Sequence, residues 1–294
     1  MRQITPHLWF DKEAKEAAEF YTSLLPNSRV TSSSTIHNTP SGDCDIVSFE
    51  LANQPFMAIS AGPVFKFNPS ISFHIKFKTK DEVDAVWNKL SSGGKVLMPL
   101  ASYPFSERYG WIQDKYGLSW QLIYAGNNEI NQKITPVLMF VGKNYGKTEE
   151  AINFYTLVFN NSKILFTQHY GEGEDPNKKG TVKYISYNLN GLEFGAMDSA
   201  KVTDFTFNEA VSFIIPCENQ EEIDYYWSKL SADPKAEACG WLKDKYGISW
   251  QVLPTIMGEM MNNGTKEQTE RVTKAFLSMK KFDISKLKAA YKEK

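Results

Sequence analysis

Cysteine is scarce: Cys44, Cys217 and Cys239 are the three in 294 residues. They are odd in number, scattered, and form no CxxC pair. That excludes a disulfide framework and points to a reducing, cytoplasmic compartment. An excess of charge of one sign is also missing. Lys and Arg number 33 against 34 Asp and Glu, a net charge of −1, so a dedicated nucleic-acid binder is not expected. No apolar run exceeds strand length, so no transmembrane helix and no membrane partner are expected. The stretch Met1–His7 lacks the apolar core of a signal peptide. No GxSxG, HExxH or P-loop occurs, and Gly171-Glu172-Gly173 is a loop fragment rather than a dinucleotide fingerprint. What is present is 42% hydrophobic and 14% aromatic residues, enough to build a core and to exclude disorder.

The chain is written twice. YGWIQDKYGLSWQLI at 109–123 reappears as CGWLKDKYGISWQVL at 239–253, and ITPHLWF at 4–10 as ITPVLMF at 134–140. EFYTSLLPNSRV (19–30) matches NFYTLVFNNSKI (153–164), and FHIKFKTKDEVDAVWNKL (73–90) matches FIIPCENQEEIDYYWSKL (213–230). Residues 91–110 are matched only by 231–240, a loss of ten positions. Two homologous domains are therefore expected at 4–125 and 134–254, joined by the polar stretch 125–133 and followed by a tail at 255–294.

Within each copy the apolar period alternates between two and 3.6. Thr5, His7 and Trp9 alternate with Ile4, Pro6, Leu8 and Phe10, as in a strand. Ala14, Ala17, Ala18, Tyr21, Leu24 and Leu25 recur at helical spacing. Strands at Val30–Ile36, Asp45–Leu51 and Pro55–Ser60 follow. A second cycle runs through Ile71–Lys78, a helix at Asp81–Leu90 capped by Thr79, and strands at Val96–Met98, Gly110–Gln113 and Leu118–Ile123. Asp114-Lys115-Tyr116-Gly117 reads as the turn between the last two. Each copy is thus two βαβββ units. In the tail, Val272, Ala275, Phe276 and Met279 share one helix face. Asp283 caps a second helix carrying Ile284, Leu287 and Tyr291, so a helical hairpin is expected. From Thr265 on, nine Lys and Arg face four Asp and Glu, read as a solvated face.

This doubled pattern, with Phe20-Tyr21 on the first helix and Asp114, Gly117, Trp120 and Gln121 at the end, resembles the vicinal oxygen chelate superfamily. Phe154-Tyr155, Asp244, Gly247, Trp250 and Gln251 repeat it. The tail MKKFDISKLKAAY (279–291) is similar to the PhnB-like branch. The resemblance implies an α+β fold of two tandem domains, each of two βαβββ units forming an open barrel, plus the C-terminal hairpin. It also implies a metal-ligand set at four strand positions. By register these fall on Thr5 or His7, Ala58, His74 and Gln121 in copy one. In copy two they fall on Thr135 or Val137, Ala196, Ile214 and Gln251.

The residues themselves favour a binder. A catalytic divalent metal wants three or more N or O ligands and an open position. Copy one offers His74, Gln121 and His7; copy two offers Gln251. The expected function is a small-molecule-binding protein with a degenerate metal site. Its pocket would be lined by Thr5, His7, Trp9, Ser60, His74, Lys76 and Gln121. The alternative is a glyoxalase- or dioxygenase-type enzyme holding Zn, Ni, Mn or Fe in the first domain only, on His74, Gln121 and His7. A structural tandem without ligand is a third reading. A methyltransferase, a label proteins of this branch carry, would need a Gly-rich βα turn that is absent. Cys217 and Cys239 have no neighbouring His and read as small buried hydrophobes, and Trp111, Trp120, Trp241 and Trp250 as core. The barrel edges can be buried within the chain or in a homodimer.

Overall fold

The computed structural model of the chain describes residues 3–39 and 42–293. Four units follow one another. The first is β1 (Thr5–Phe10), α1 (Ala14–Thr22), β2 (Arg29–Thr39), β3 (Gly42–Leu51) and β4 (Gln54–Ser60). The second is β5 (Ile71–Phe77), α2 (Lys80–Ser91), β6 (Lys95–Tyr103), β7 (Ser106–Gln113) and β8 (Ser119–Tyr124). The third is β9 (Ile134–Phe140), α3 (Thr148–Val158), β10 (Lys163–His169), β11 (Val182–Leu189) and β12 (Leu192–Asp198). The fourth is β13 (Val211–Cys217), α4 (Gln220–Leu230), β14 (Trp241–Lys243) and β15 (Ser249–Pro254). It is one strand short, at the ten-position loss in the repeat. The tail is α5 (Thr255–Asn263), α6 (Lys266–Leu277) and α7 (Ile284–Lys292). The expected hairpin is α6–α7, and α5 adds a turn-rich start that the apolar spacing did not announce.

The α+β class and the tandem repeat are as expected, but the units pair crosswise. The seven-stranded sheet runs β14-β15-β13-β1-β4-β3-β2, and the eight-stranded sheet β10-β11-β12-β9-β5-β8-β7-β6. Each sheet therefore joins half of copy one to half of copy two. The seams are antiparallel: β1 on β13 (Thr5 opposite Ile214, His7 opposite Ser212) and β5 on β9 (Ser72 opposite Val137, His74 opposite Thr135). Edges that would be open in one copy are closed by the other.

The alternation along each strand decides what lies where. Leu8, Phe10, Phe56 and Ala58 turn to the helix side of one sheet, and Phe73, Ile75, Trp120 and Leu122 to that of the other; all are buried in one core. Phe56 and Phe73, with centroids 5.3 Å apart, carry that core from sheet to sheet within copy one, as Phe194 and Phe213 do at 5.1 Å in copy two. The shared motif is what clamps it. Asp114 accepts hydrogen bonds from the Tyr21 hydroxyl (2.7 Å), the Trp120 indole (2.8 Å) and the Tyr116 and Leu118 amides (2.8 and 3.1 Å). Asp244 does the same with Tyr155, Trp250, Tyr246 and Ile248. Burial pushes both carboxyls up, and these four donors oppose it. Gly117 and Gly247 supply the positive φ (+88° and +91°) that the turn needs. Thr79 caps α2 in a reciprocal box with Glu82, and Asp283 caps α7 through the Ser285 and Lys286 amides.

The tail covers the edge that the missing strand leaves bare. The Cys239 and Gly240 amides donate to the Met279 and Lys280 carbonyls, both at 2.8 Å. A side chain on Gly240 would meet the Phe282 ring at 2.5 Å, so only glycine admits this approach. Gln220 on α4 holds the Phe282 carbonyl (3.0 Å) and the Ile284 amide (2.9 Å). Part of the basic excess is thereby paired, as Lys281 bonds Asp224 at 2.5 Å and Lys280 bonds Glu237 at 3.3 Å.

Candidate functional site

Thr5, His7 and Trp9 face away from the helix-side core, and so do Ser72, His74 and Lys76. The two groups therefore stand on opposite outer faces of copy one. The outer faces are nonetheless largely closed to water: His7 is 3% exposed, and Ser72, Gln121, Thr135, Ser212 and Gln251 are all buried. Each sheet thus folds over its own outer face, forming two cups, each built from both copies.

The seven expected pocket residues are divided accordingly. The cup of the eight-stranded sheet receives His74, Lys76 and Gln121. The cup of the seven-stranded sheet receives Thr5, His7 and Trp9. Ser60 belongs to neither, because its hydroxyl accepts the Ala14 amide at 3.1 Å at the start of α1. Ala58 and Ala196 also face the core, and the outer positions beside them are Met57 and Gly195. The strand-period rule places these residues correctly in their strands. It cannot say which half of the chain closes a cup.

In the cup of the eight-stranded sheet, His74 stands directly between Thr135 on β9 and Gln121 on β8. Both of its ring nitrogens are buried without a hydrogen-bond partner, as is the Thr135 hydroxyl. Burial, aided by the charge of Lys76, pulls the His74 ring down to about 3, so it is neutral at neutral pH. Gln121 is engaged at both ends: its Oε1 accepts the Tyr109 hydroxyl (2.6 Å) and its Nε2 donates to Ser72 (2.7 Å). Lys76 is held by Glu193 at 2.9 Å. Tyr184 lies across Gly195, where a Cβ would meet its hydroxyl at 2.8 Å, and burial pushes that phenol up to about 12. Tyr109, Glu193 and Tyr184 were not expected here. Their alternation was visible, but their partners come from the other copy or a remote strand.

The cup of the seven-stranded sheet is aromatic. His7 meets Trp241 edge-on at 5.3 Å, and Trp9 meets Trp241 at 5.9 Å. The His7 Nδ1 is buried without a partner, and burial pulls the ring down to about 3. Trp9 donates to the Gly62 carbonyl at 2.8 Å, and Gln251 to the Ser212 hydroxyl at 2.9 Å. Ile214 occupies the position that His74 fills in the other cup. Trp241 and Trp111 line the outer faces, whereas Trp120 and Trp250 are core.

The residues do not fit the divalent metal that the resemblance implies. His7 is parted from His74 and Gln121 by the copy-one core. The Gln121 carbonyl is already an acceptor, Gly195 offers no donor, and the Glu193 carboxylate is neutralised by Lys76. Among the described residues no three His, Cys, Asp or Glu gather into a group. A hard or borderline cation would find one imidazole and one hydroxyl.

Comparison with known proteins gives the relationship. The family model described as 3-demethylubiquinone-9 3-methyltransferase matches residues 2–123 and again 132–253. No functionally curated protein matches. Among solved structures, a PhnB protein from Bacillus cereus is 42% identical over 42% of this chain and 100% of its own, with a TM-score of 0.40. Glyoxalase I from Zea mays is 11% identical over 88% of this chain and 96% of its own, with a TM-score of 0.57. The second likeness is one of fold. No helix among the described residues is long and apolar enough to cross a membrane.

Proposed function

This chain belongs to the 3-demethylubiquinone-9 3-methyltransferase family, in the PhnB-like branch of the vicinal oxygen chelate superfamily, and on that premise we propose that it binds a small uncharged molecule in the cup of the eight-stranded sheet, where an ancestral metal site has degenerated. One observation carries the reading. His74 Nδ1, His74 Nε2 and Thr135 Oγ1 are adjacent across a strand pair, buried, and without partners. Each such group left unsatisfied costs ~1–3 kcal/mol, and a ligand that donates to one ring nitrogen, accepts from the other and bonds the Thr135 hydroxyl would recover that loss. A carboxylate or phosphate ligand is disfavoured, because His74 is neutral and Lys76 already serves Glu193. Methyl transfer finds no support in this site, which lacks a glycine-rich turn for a nucleotide-like methyl donor. The free cysteines agree with a reducing, cytoplasmic setting.

The test is thermal unfolding with matched pairs of probes, uncharged phenols and their benzoate analogues. Saturable stabilisation by uncharged members, lost in His74→Ala and kept in His7→Ala, is expected; a probe at 100 times its Kd contributes ~2.7 kcal/mol. Stabilisation that survives His74→Ala, or that follows the carboxylates, overturns the reading. So does tight, stoichiometric uptake of Zn²⁺ or Ni²⁺ that His74→Ala abolishes.

A further inference from the structure

Two sheets have four edges, and three of them are covered, interrupted by proline or polar. The β14 edge lies under the tail. The β6 edge carries Pro99 and three register shifts. The β2 edge is a polar run, Ser32-Ser33-Ser34-Thr35, with two shifts. Its counterpart in copy two, β10, carries two shifts as well, but where β2 has Val30-Thr31-Ser32, β10 has Ile164-Leu165-Phe166. These side chains are 38%, 47% and 53% exposed. Ile164 lies opposite Tyr187 and Phe166 opposite Ser186, so the strand presents apolar groups to both faces of the sheet. Leu157, on the α3 helix that contacts β10, is 84% exposed. A strand that pairs with a second strand and packs on both faces needs this composition, and a solvated edge avoids it.

We propose that β10 is an interface with a second copy of this chain, formed by antiparallel pairing of the two β10 strands with Phe166 against Phe166. The contact is self-complementary, as a twofold axis requires. The charges at its ends select the antiparallel sense. Lys163 carries no ion pair among the described residues. At the other end, His169 Nε2 lies 3.2 Å from Glu149. Antiparallel pairing brings the Lys163 end of each strand to the Glu149–His169 end of the other, whereas a parallel pairing would stack like charges. The result is a continuous sixteen-stranded sheet in which each eight-stranded half keeps its own cup.

Sedimentation equilibrium of the full chain at tens of micromolar should show twice the chain mass. Phe166→Lys should raise the dimer dissociation constant by at least ~100-fold, the equivalent of ~2.8 kcal/mol, with the circular dichroism spectrum unchanged. Lys163→Glu should weaken the dimer, and adding Glu149→Lys should restore it. Phe166→Cys keeps the inference open to refutation should the lysine variant fold poorly, since its air oxidation should give one intermolecular disulfide per dimer. A native chain that stays monomeric at these concentrations overturns the proposal. A dimer that Phe166→Lys leaves intact, or that Phe166→Cys cannot cross-link, overturns it too.

Discussion

Replacing both His7 and His74 by phenylalanine should remove most of the stability loss of this protein between pH 7 and pH 5. Burial holds each folded ring at about 3, against 6.5 for a free imidazole. A histidine so depressed takes its proton only when the chain unfolds. Below pH 6.5 the unfolded chain therefore binds more protons than the folded one, and stability falls with falling pH until about 3, where the loss is complete. Between pH 7 and pH 5 each ring accounts for ~2 kcal/mol, at 1.36 kcal/mol per pH unit below 6.5, and the pair for ~4 kcal/mol. Single domains are stable by only ~5–15 kcal/mol, so the shift is large. Urea unfolding at the two pH values, followed by circular dichroism, measures it. The buried carboxyls of Asp114 and Asp244 titrate in both chains, so the difference between native and double variant isolates the imidazoles. Equal losses in the two chains would refute the reasoning and mean that water reaches these rings.

Other outcomes follow from the packing. Gly240→Ala places a methyl group 2.5 Å from Phe282 at a φ of +84° and should cost ~2–4 kcal/mol; the matching change at Gly117, where nothing lies closer than 3.8 Å, should cost ~1 kcal/mol. Chemical denaturation of the two variants separates them. Tyr21→Phe and Tyr155→Phe each remove one hydrogen bond to a buried carboxyl and should lower stability by ~1.5–3 kcal/mol, additively, since they lie in different copies. Gly195→Ala should evict Tyr184 from its place across the strand, read as a changed near-ultraviolet spectrum, and should weaken whatever uncharged probe the His74 cup accepts.

Much of this was legible beforehand. The tandem repeat, the first three units, the Thr79 and Asp283 caps and the turn at Gly117 rest on local patterns: period, capping chemistry and turn residues. The inward faces of β1 and β5 were legible for the same reason, whereas Trp111 and Trp241, expected in the core, line the outer faces. Ala58 was assigned a ligand position that the family implies, and its own alternation with Phe56 already turned it to the core. Ser60 failed differently, because its partner, the Ala14 amide, is remote in sequence.

The doubled order of residues was sufficient to specify what each unit is: a sheet with one helix-facing side, clasped by an aspartate that gathers a tyrosine, a tryptophan and two amides. Those are short-range choices, and a sequence states them twice. Which unit closes on which was decided only in three dimensions. Once the helix-side faces within a copy are spent on their common core, the bare edges of β1 and β5 can find hydrogen-bonding partners only in the other copy. That seam sets His74 beside Thr135 and sends His7 to the opposite side of the molecule. Backbone groups at a sheet edge carry no side-chain signature, so no reading of residue order could have foretold it.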